Sequence, residues 1–122
     1  MRAIEPTIYH LAVAADWAAA QARGEAYAMS TLGVTLAHQG FVHCSFADQV
    51  QHIADLVYRD RADVLLLTLD TGRLTSPVRV DQVGDGAFPH VYGPIDLAAV
   101  VGVRPVERGP DGRLETGLPP IP

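Results

Sequence analysis

Lysine and asparagine are both absent from the sequence, and all nine basic residues are arginine. Without lysine there is no Schiff-base amine and no phosphate loop of the Walker type. Without asparagine there is no cysteine protease that depends on one. The two residues share AT-rich codons, so the joint absence fits a GC-rich coding sequence rather than a mechanism. A single cysteine, Cys44, excludes an internal disulfide and a cysteine-rich zinc site. No apolar run approaches the roughly 20 residues that span a bilayer. The opening Met1-Arg2-Ala3-Ile4-Glu5-Pro6 has no apolar core of a signal peptide, so a cytoplasmic, membrane-free protein is expected. Basic clusters are missing and the net charge is −5, which argues against a broad nucleic-acid surface. A small molecule is the expected partner, because a local pocket need not follow the global charge.

What is present suits one globular domain. The chain has 122 residues, of which 48% are hydrophobic and 19% charged. A core over about residues 7–108 is expected, followed by a turn and a loosely ordered, proline- and glycine-rich tail over 109–122. Thr7 to Val13 is rich in strand formers, and the alanine-rich Ala14 to Arg23 reads as a helix stopped by Gly24. Glu25 to Gln39 has no single reading, and Thr35 to Gly40 fits a short helical turn ending at glycine. Phe41 to Phe46 reads as a second strand. The stretch Ala47 to Arg59 has helical spacing, with Val50, Ile53, Ala54 and Val57 on one side and an Asp55–Arg59 pair on the other. The continuous apolar run Val64 to Asp70 predicts a strand covered on both faces. Val78 to Val83 alternates with period two, Phe88 to Pro94 is extended, and Val100 to Val106 is an edge strand because of Pro105. This is an α+β pattern with helices mainly in the N-terminal half.

Three of the five histidines lie in strand-like segments, as Tyr9-His10, His43-Cys44-Ser45 and His90-Val91-Tyr92. Alternation puts His43 and Ser45 on one strand face, and His90 and Tyr92 on another. Imidazoles titrate near neutral pH and bond to hydroxyls, so their convergence would make a polar pocket. Each taken alone also fits a structural histidine with an internal partner. No metal is expected, since no His-x-x-x-His or His-Glu-x-x-His spacing occurs. Cys44 points away from His43 and reads as a buried, inert thiol. Ser45 suits either a ligand hydrogen bond or a cap for the following helix. Asp70 and Asp81, in or at the end of strands, can orient a ligand or meet solvent.

Ile8-Tyr9-His10, Gly40-Phe41-Val42-His43-Cys44-Ser45 and Phe88-Pro89-His90-Val91-Tyr92-Gly93-Pro94, in this order, resemble the signature of a bacterial family known as domain of unknown function 952. Trp17, Gln49 and Leu66 to Asp70 extend the resemblance. The family is similar in fold to the ADP-ribosyltransferase superfamily, which implies a split β-sheet core cradling nicotinamide dinucleotide (NAD). The resemblance places His10 at the superfamily's ribose-binding first-strand histidine and His43 at the neighbouring second-strand position. On that reading Tyr9, Ser45 and Tyr92 join His10 as expected cofactor-binding residues, and His43 and His90 are the expected catalytic ones. The superfamily's late-strand glutamate has no counterpart between Phe88 and Gly93, which moves the reading toward a variant reaction or simple binding. Two alternatives stand beside it. One is a non-catalytic module for a small metabolite or partner. The other is an RNA 2′-phosphotransferase-like enzyme, which would need arginines such as Arg23, Arg79 and Arg104 around the pocket.

Overall fold

A computed structural model describes residues 2–118. The chain begins with β1 (Thr7–Val13) and α1 (Ala14–Arg23), which Gly24 ends in the left-handed conformation at φ 65°. The next segment, which carries no strand signature, forms a small hairpin of β2 (Met29–Thr31) and β3 (Val34–Thr35) before the one-turn α2 (Leu36–Gln39). Then come β4 (Val42–His43), α3 (Val50–Val57) and β5 (Val64–Asp70). The second half is all strands and short turns: β6 (Val78–Val83), β7 (Gly86–Val91), β8 (Val100–Pro105), β9 (Glu107–Arg108) and β10 (Leu114–Glu115). The fold is mixed α+β, and the three α-helices among the described residues all precede residue 58.

Two three-stranded antiparallel sheets carry the architecture, in the orders β1-β5-β8 and β4-β7-β6. They meet at one place, where Tyr9 and Ser45 exchange both backbone hydrogen bonds at 2.8 Å. Alternation along β1 and β5 divides the core into two layers. Ile8, Ala12, Leu67 and Leu69 face α1 through Trp17 and Ala20. Leu11, Val64 and Leu66 face α3 through Val50 and Ala54, with Tyr58 at the end of that helix. The inner face of the second sheet, with Val42, Cys44 and Val91, closes the first of these layers.

Pro89 explains why β4 is only two residues long. The Cys44 amide donates to the Pro89 carbonyl at 3.1 Å, so these two residues oppose each other as a hydrogen-bonded pair. A residue with an N–H at 89 would return the second bond of the pair, and proline has none. The β4–β7 ladder therefore stops at His43, and Ser45 turns to β1 instead.

Several expectations need correction. The helix predicted from Ala47 begins three residues later, and Ser45 does not cap it. Gln49 holds the entry instead: its side chain accepts from the Phe46 amide at 2.9 Å and donates to the Ala87 carbonyl at 2.7 Å. Asp55 pairs with Arg113 rather than with Arg59, because the C-terminal hairpin brings Arg113 across α3. That hairpin replaces most of the expected loose tail. β9 pairs with β10, Leu114 packs into the second core layer and Thr116 is buried. Residues 119–122 of the expected tail lie outside the described residues. No described helix is long and apolar enough to cross a membrane.

Candidate functional site

The outer face of the β4-β7-β6 sheet gathers the chemistry. His43 is directly opposite His90, and His90 is directly opposite Arg79. Period-two alternation adds Phe41 and Ser45 around His43, Phe88 and Tyr92 around His90, and Asp81 and Val83 beyond Arg79. Because Cys44 and Pro89 form the hydrogen-bonded pair, His43 and His90 form the non-hydrogen-bonded pair next to it, where side chains stand closest. Their ring centroids are 5.2 Å apart at 86°. Phe41 covers this pair, stacked on His90 at 4.1 Å and 18° and edge-on to His43 at 4.8 Å.

His90 has a defined tautomer. Its Nδ1 is 2.8 Å from Asp81 Oδ2. An ionised carboxylate only accepts, so Nδ1 carries the proton and Nε2 is left with either a lone pair or a second proton. Asp81 sits diagonally across from His90 on the neighbouring strand, the arrangement in which side chains two positions offset can touch. The Tyr92 hydroxyl donates to the same carboxylate oxygen. Hydrogen bonds from Tyr92 and His90 hold the Asp81 carboxyl below its ordinary range, and Asp81 in turn raises Tyr92. Among the described residues no group bonds His90 Nε2, and neither ring nitrogen of His43 has a partner. Burial, with a smaller contribution from the neighbouring His90, lowers the pKa of His43.

Both histidines line a cavity of about 290 Å³ between α3 and the β6–β7 hairpin. One wall is Ile53 and Val57 from α3 with Tyr58 just beyond its end, and the other is Val83 and Phe88 from the hairpin. Leu11, Thr31, Cys44 and Ser45 complete the lining. The α3 periodicity noted in the sequence thus serves two purposes: Val50 and Ala54 are buried, while Ile53 and Val57 face the cavity. At the rear, the Tyr58 hydroxyl donates to the Leu11 carbonyl at 3.1 Å, and Thr31 Oγ1 then donates to Tyr58 at 3.1 Å. These hydroxyls are committed to the protein. Ser45 is instead held through its backbone, by its pair with Tyr9, and its Oγ bonds no other described residue.

Of the six residues predicted for the site, His43, His90 and Ser45 line the cavity. Tyr92 is tied to it through Asp81, and its ring lies 5.3 Å from Phe41 and under the Arg79 guanidinium. Tyr9 and His10 are elsewhere. The Tyr9 side chain packs on the second core layer. His10 is 2% exposed and points into the first layer, because alternation places it with Ile8 and Ala12. Its Nδ1 donates to the His43 carbonyl at 2.6 Å, and its Nε2 accepts from the Tyr27 hydroxyl at 2.9 Å. His10 therefore shapes the strand that carries His43 and does not itself face the cavity. Arg23 and Arg104 are tied up away from it, beside Glu25 and on the Thr116 carbonyl, so only Arg79 stands on the site's sheet face. Cys44 is buried, and burial pushes its thiol well up, so it is no nucleophile at neutral pH. No group of described His, Cys, Asp and Glu side chains is placed to hold a metal ion.

Two signals for this site lay beyond sequence reasoning. Asp81 is a candidate for orienting a ligand in the sequence, but its partnership with His90 depends on the β6–β7 register. Phe41 was part of a motif, but its stacking on His90 depends on the β4–β7 pairing.

Fold and site together define an α+β domain with a histidine-lined pocket at the seam of two antiparallel sheets. The chain belongs to the family described as protein of unknown function DUF952, which matches residues 11–103. It is similar to protein CC0527 from Caulobacter crescentus, whose crystal structure aligns with a TM-score of 0.78 at 27% identity, covering 91% of this chain and 95% of that one. The solution NMR structure of the same protein aligns with a TM-score of 0.73 at 28% identity, covering 93% and 95%. No curated protein matches the chain.

Proposed function

We propose that the seam pocket binds the nucleoside-sized end of a small ligand, with nicotinamide dinucleotide as the cofactor, and that His90 acts on it as a general acid/base. The observation that carries this reading is His90 itself. Asp81 holds its Nδ1–H, its Nε2 has no partner among the described residues, and the ring lines a cavity. In such a site Nε2 would take the proton of an attacking hydroxyl or water and pass it to solvent, because nicotinamide would leave as a neutral base that needs no proton. Asp81 offsets the positive charge that the imidazole gains meanwhile. His43 and Ser45 would hold the ligand, and Phe41 would keep water from the back of His90. The split of the sheet at Tyr9–Ser45 favours an ADP-ribosyltransferase-like core as the evolutionary frame. A volume of about 290 Å³ is at the lower end for ligand pockets, so a dinucleotide would insert one end and leave its diphosphate outside.

The test is titration with NAD and with nicotinamide riboside while histidine ring resonances are recorded. His43 and His90 should shift and His10 should not, and His90→Ala should abolish release of nicotinamide. Silence from both rings at millimolar ligand sinks the reading. Binding that survives His90→Ala with no turnover in either protein would make the domain a non-catalytic binding module.

A further inference from the structure

The cavity walls contain no arginine, aspartate or glutamate among the described residues. Ile53 and Val57 on one side and Val83 and Phe88 on the other are apolar, and the polar atoms available at the floor belong to His43, Ser45 and His90. The formal charge in contact with this floor is negative: Asp81 stands directly behind His90. The nearest cation on the same sheet face, Arg79, lies over the Tyr92 ring at 5.2 Å and is not part of the lining. A phosphate or carboxylate entering here would give up its water, meet neutral walls, and approach a carboxylate through the thickness of one imidazole. Burying an ion under those conditions is strongly unfavourable. A neutral group that donates a hydrogen bond meets the opposite situation, because in its neutral form His90 offers the Nε2 lone pair as an acceptor.

We propose that the pocket excludes anions and accepts the phosphate-free, apolar-bodied end of its ligand, which donates a hydrogen bond to His90 Nε2. This rests on the acid/base reading of His90 and narrows it: RNA 2′-phosphate chemistry is removed from the candidates, and any phosphate of the ligand stays outside the mouth framed by Val57 and Val83. Those two residues are 40% and 49% exposed, so they flank the opening rather than seal it.

A near-isosteric pair of probes tests the charge rule without presuming a substrate. 2-Phenylethanol and phenylacetate share a ring and differ in one group, and inorganic phosphate serves as a third probe. Each is titrated into the full chain near neutral pH while the His43 and His90 rings are followed by NMR. The alcohol is expected to shift both rings at millimolar concentration, phenylacetate to bind at least about tenfold more weakly, and phosphate to leave both rings unmoved. Val83→Arg puts a cation on an exposed wall position and is expected to bring phenylacetate to at least the affinity of the alcohol. An unchanged His10 resonance shows that this variant keeps its fold. Phenylacetate or phosphate binding the natural protein as tightly as the alcohol overturns the exclusion while leaving the acid/base reading in place. Silence from all three probes, or a Val83→Arg protein with no gain for the anion, also overturns it.

Discussion

Acidification should destabilise this protein through His10, and the size of the effect can be worked out. The imidazole is fully buried, and burial lowers its pKa from 6.5 to about 4, partly opposed by its bond to the His43 carbonyl. A pKa lower in the folded state than in the unfolded state means that the unfolded chain binds more protons between the two values. Stability is therefore fully present above the unfolded value and is lost as pH falls from about 6.5 toward 4. A gap of about 2.5 between the two values, at about 1.4 kcal/mol for each, gives a loss of ~3 kcal/mol once both states are protonated, and ~2 kcal/mol by about pH 5. The bonding explains why no local rearrangement relieves it. Nδ1 already donates to a carbonyl, so the extra proton must go on Nε2, facing the Tyr27 hydroxyl that now donates to it. Tyr27 would have to turn its own proton away inside the core. Urea unfolding across this pH range, compared between the natural protein and His10→Gln, isolates the contribution, because His43 acts in the same direction in both. The natural protein should lose stability more steeply by roughly the amount above. Equal pH slopes in the two proteins, or a His10 ring that titrates at an ordinary histidine pKa by NMR, would refute the reasoning.

Other outcomes follow from packing and pairing. Leu67→Ala empties a fully buried site between α1 and the first sheet and should cost about 2–5 kcal/mol in chemical denaturation, whereas Leu56→Ala, at 66% exposure, should stay within about 0.5 kcal/mol. Cys44 should resist a thiol reagent in the native protein and react promptly in denaturant; rapid native labelling would contradict its burial in the seam. Pro89→Ala supplies the missing donor opposite Cys44, and the backbone amide gained at position 89 should be protected from hydrogen exchange; an amide exchanging as freely as an exposed one would show that proline is not what shortens β4. Tyr92→Phe removes one of two donors from Asp81, so the carboxyl should titrate at a higher pH by carbon-detected NMR, with the acid limit of its ionised range moving upward accordingly.

Much of the fold was readable locally because local chemistry decided it. β1, α1 with its Gly24 stop, α2, β5 and β6 fall where strand formers, alanine content, terminal glycines and alternation put them, and such signals are complete within one contiguous segment. The β2–β3 and β9–β10 hairpins escaped because they are two or three residues long and exist through pairing, not propensity. For the same reason the tail could not be seen to bury Leu114 and Thr116.

The site divides along the same line. That histidine, serine and tyrosine alternate on strand faces was settled by the order of residues, since a two-residue period needs no partner to define it. Which of those faces looks into a cavity depends on tertiary pairing. His10 and His43 read alike in the chain, yet β1 is covered on both sides and buries its histidine, while β4 is an edge strand whose outer face meets α3 and a hairpin tip. The bond between His90 and Asp81 arises only once β6 and β7 settle into register, because the physical contact is diagonal across two strands and no spacing within one segment encodes it.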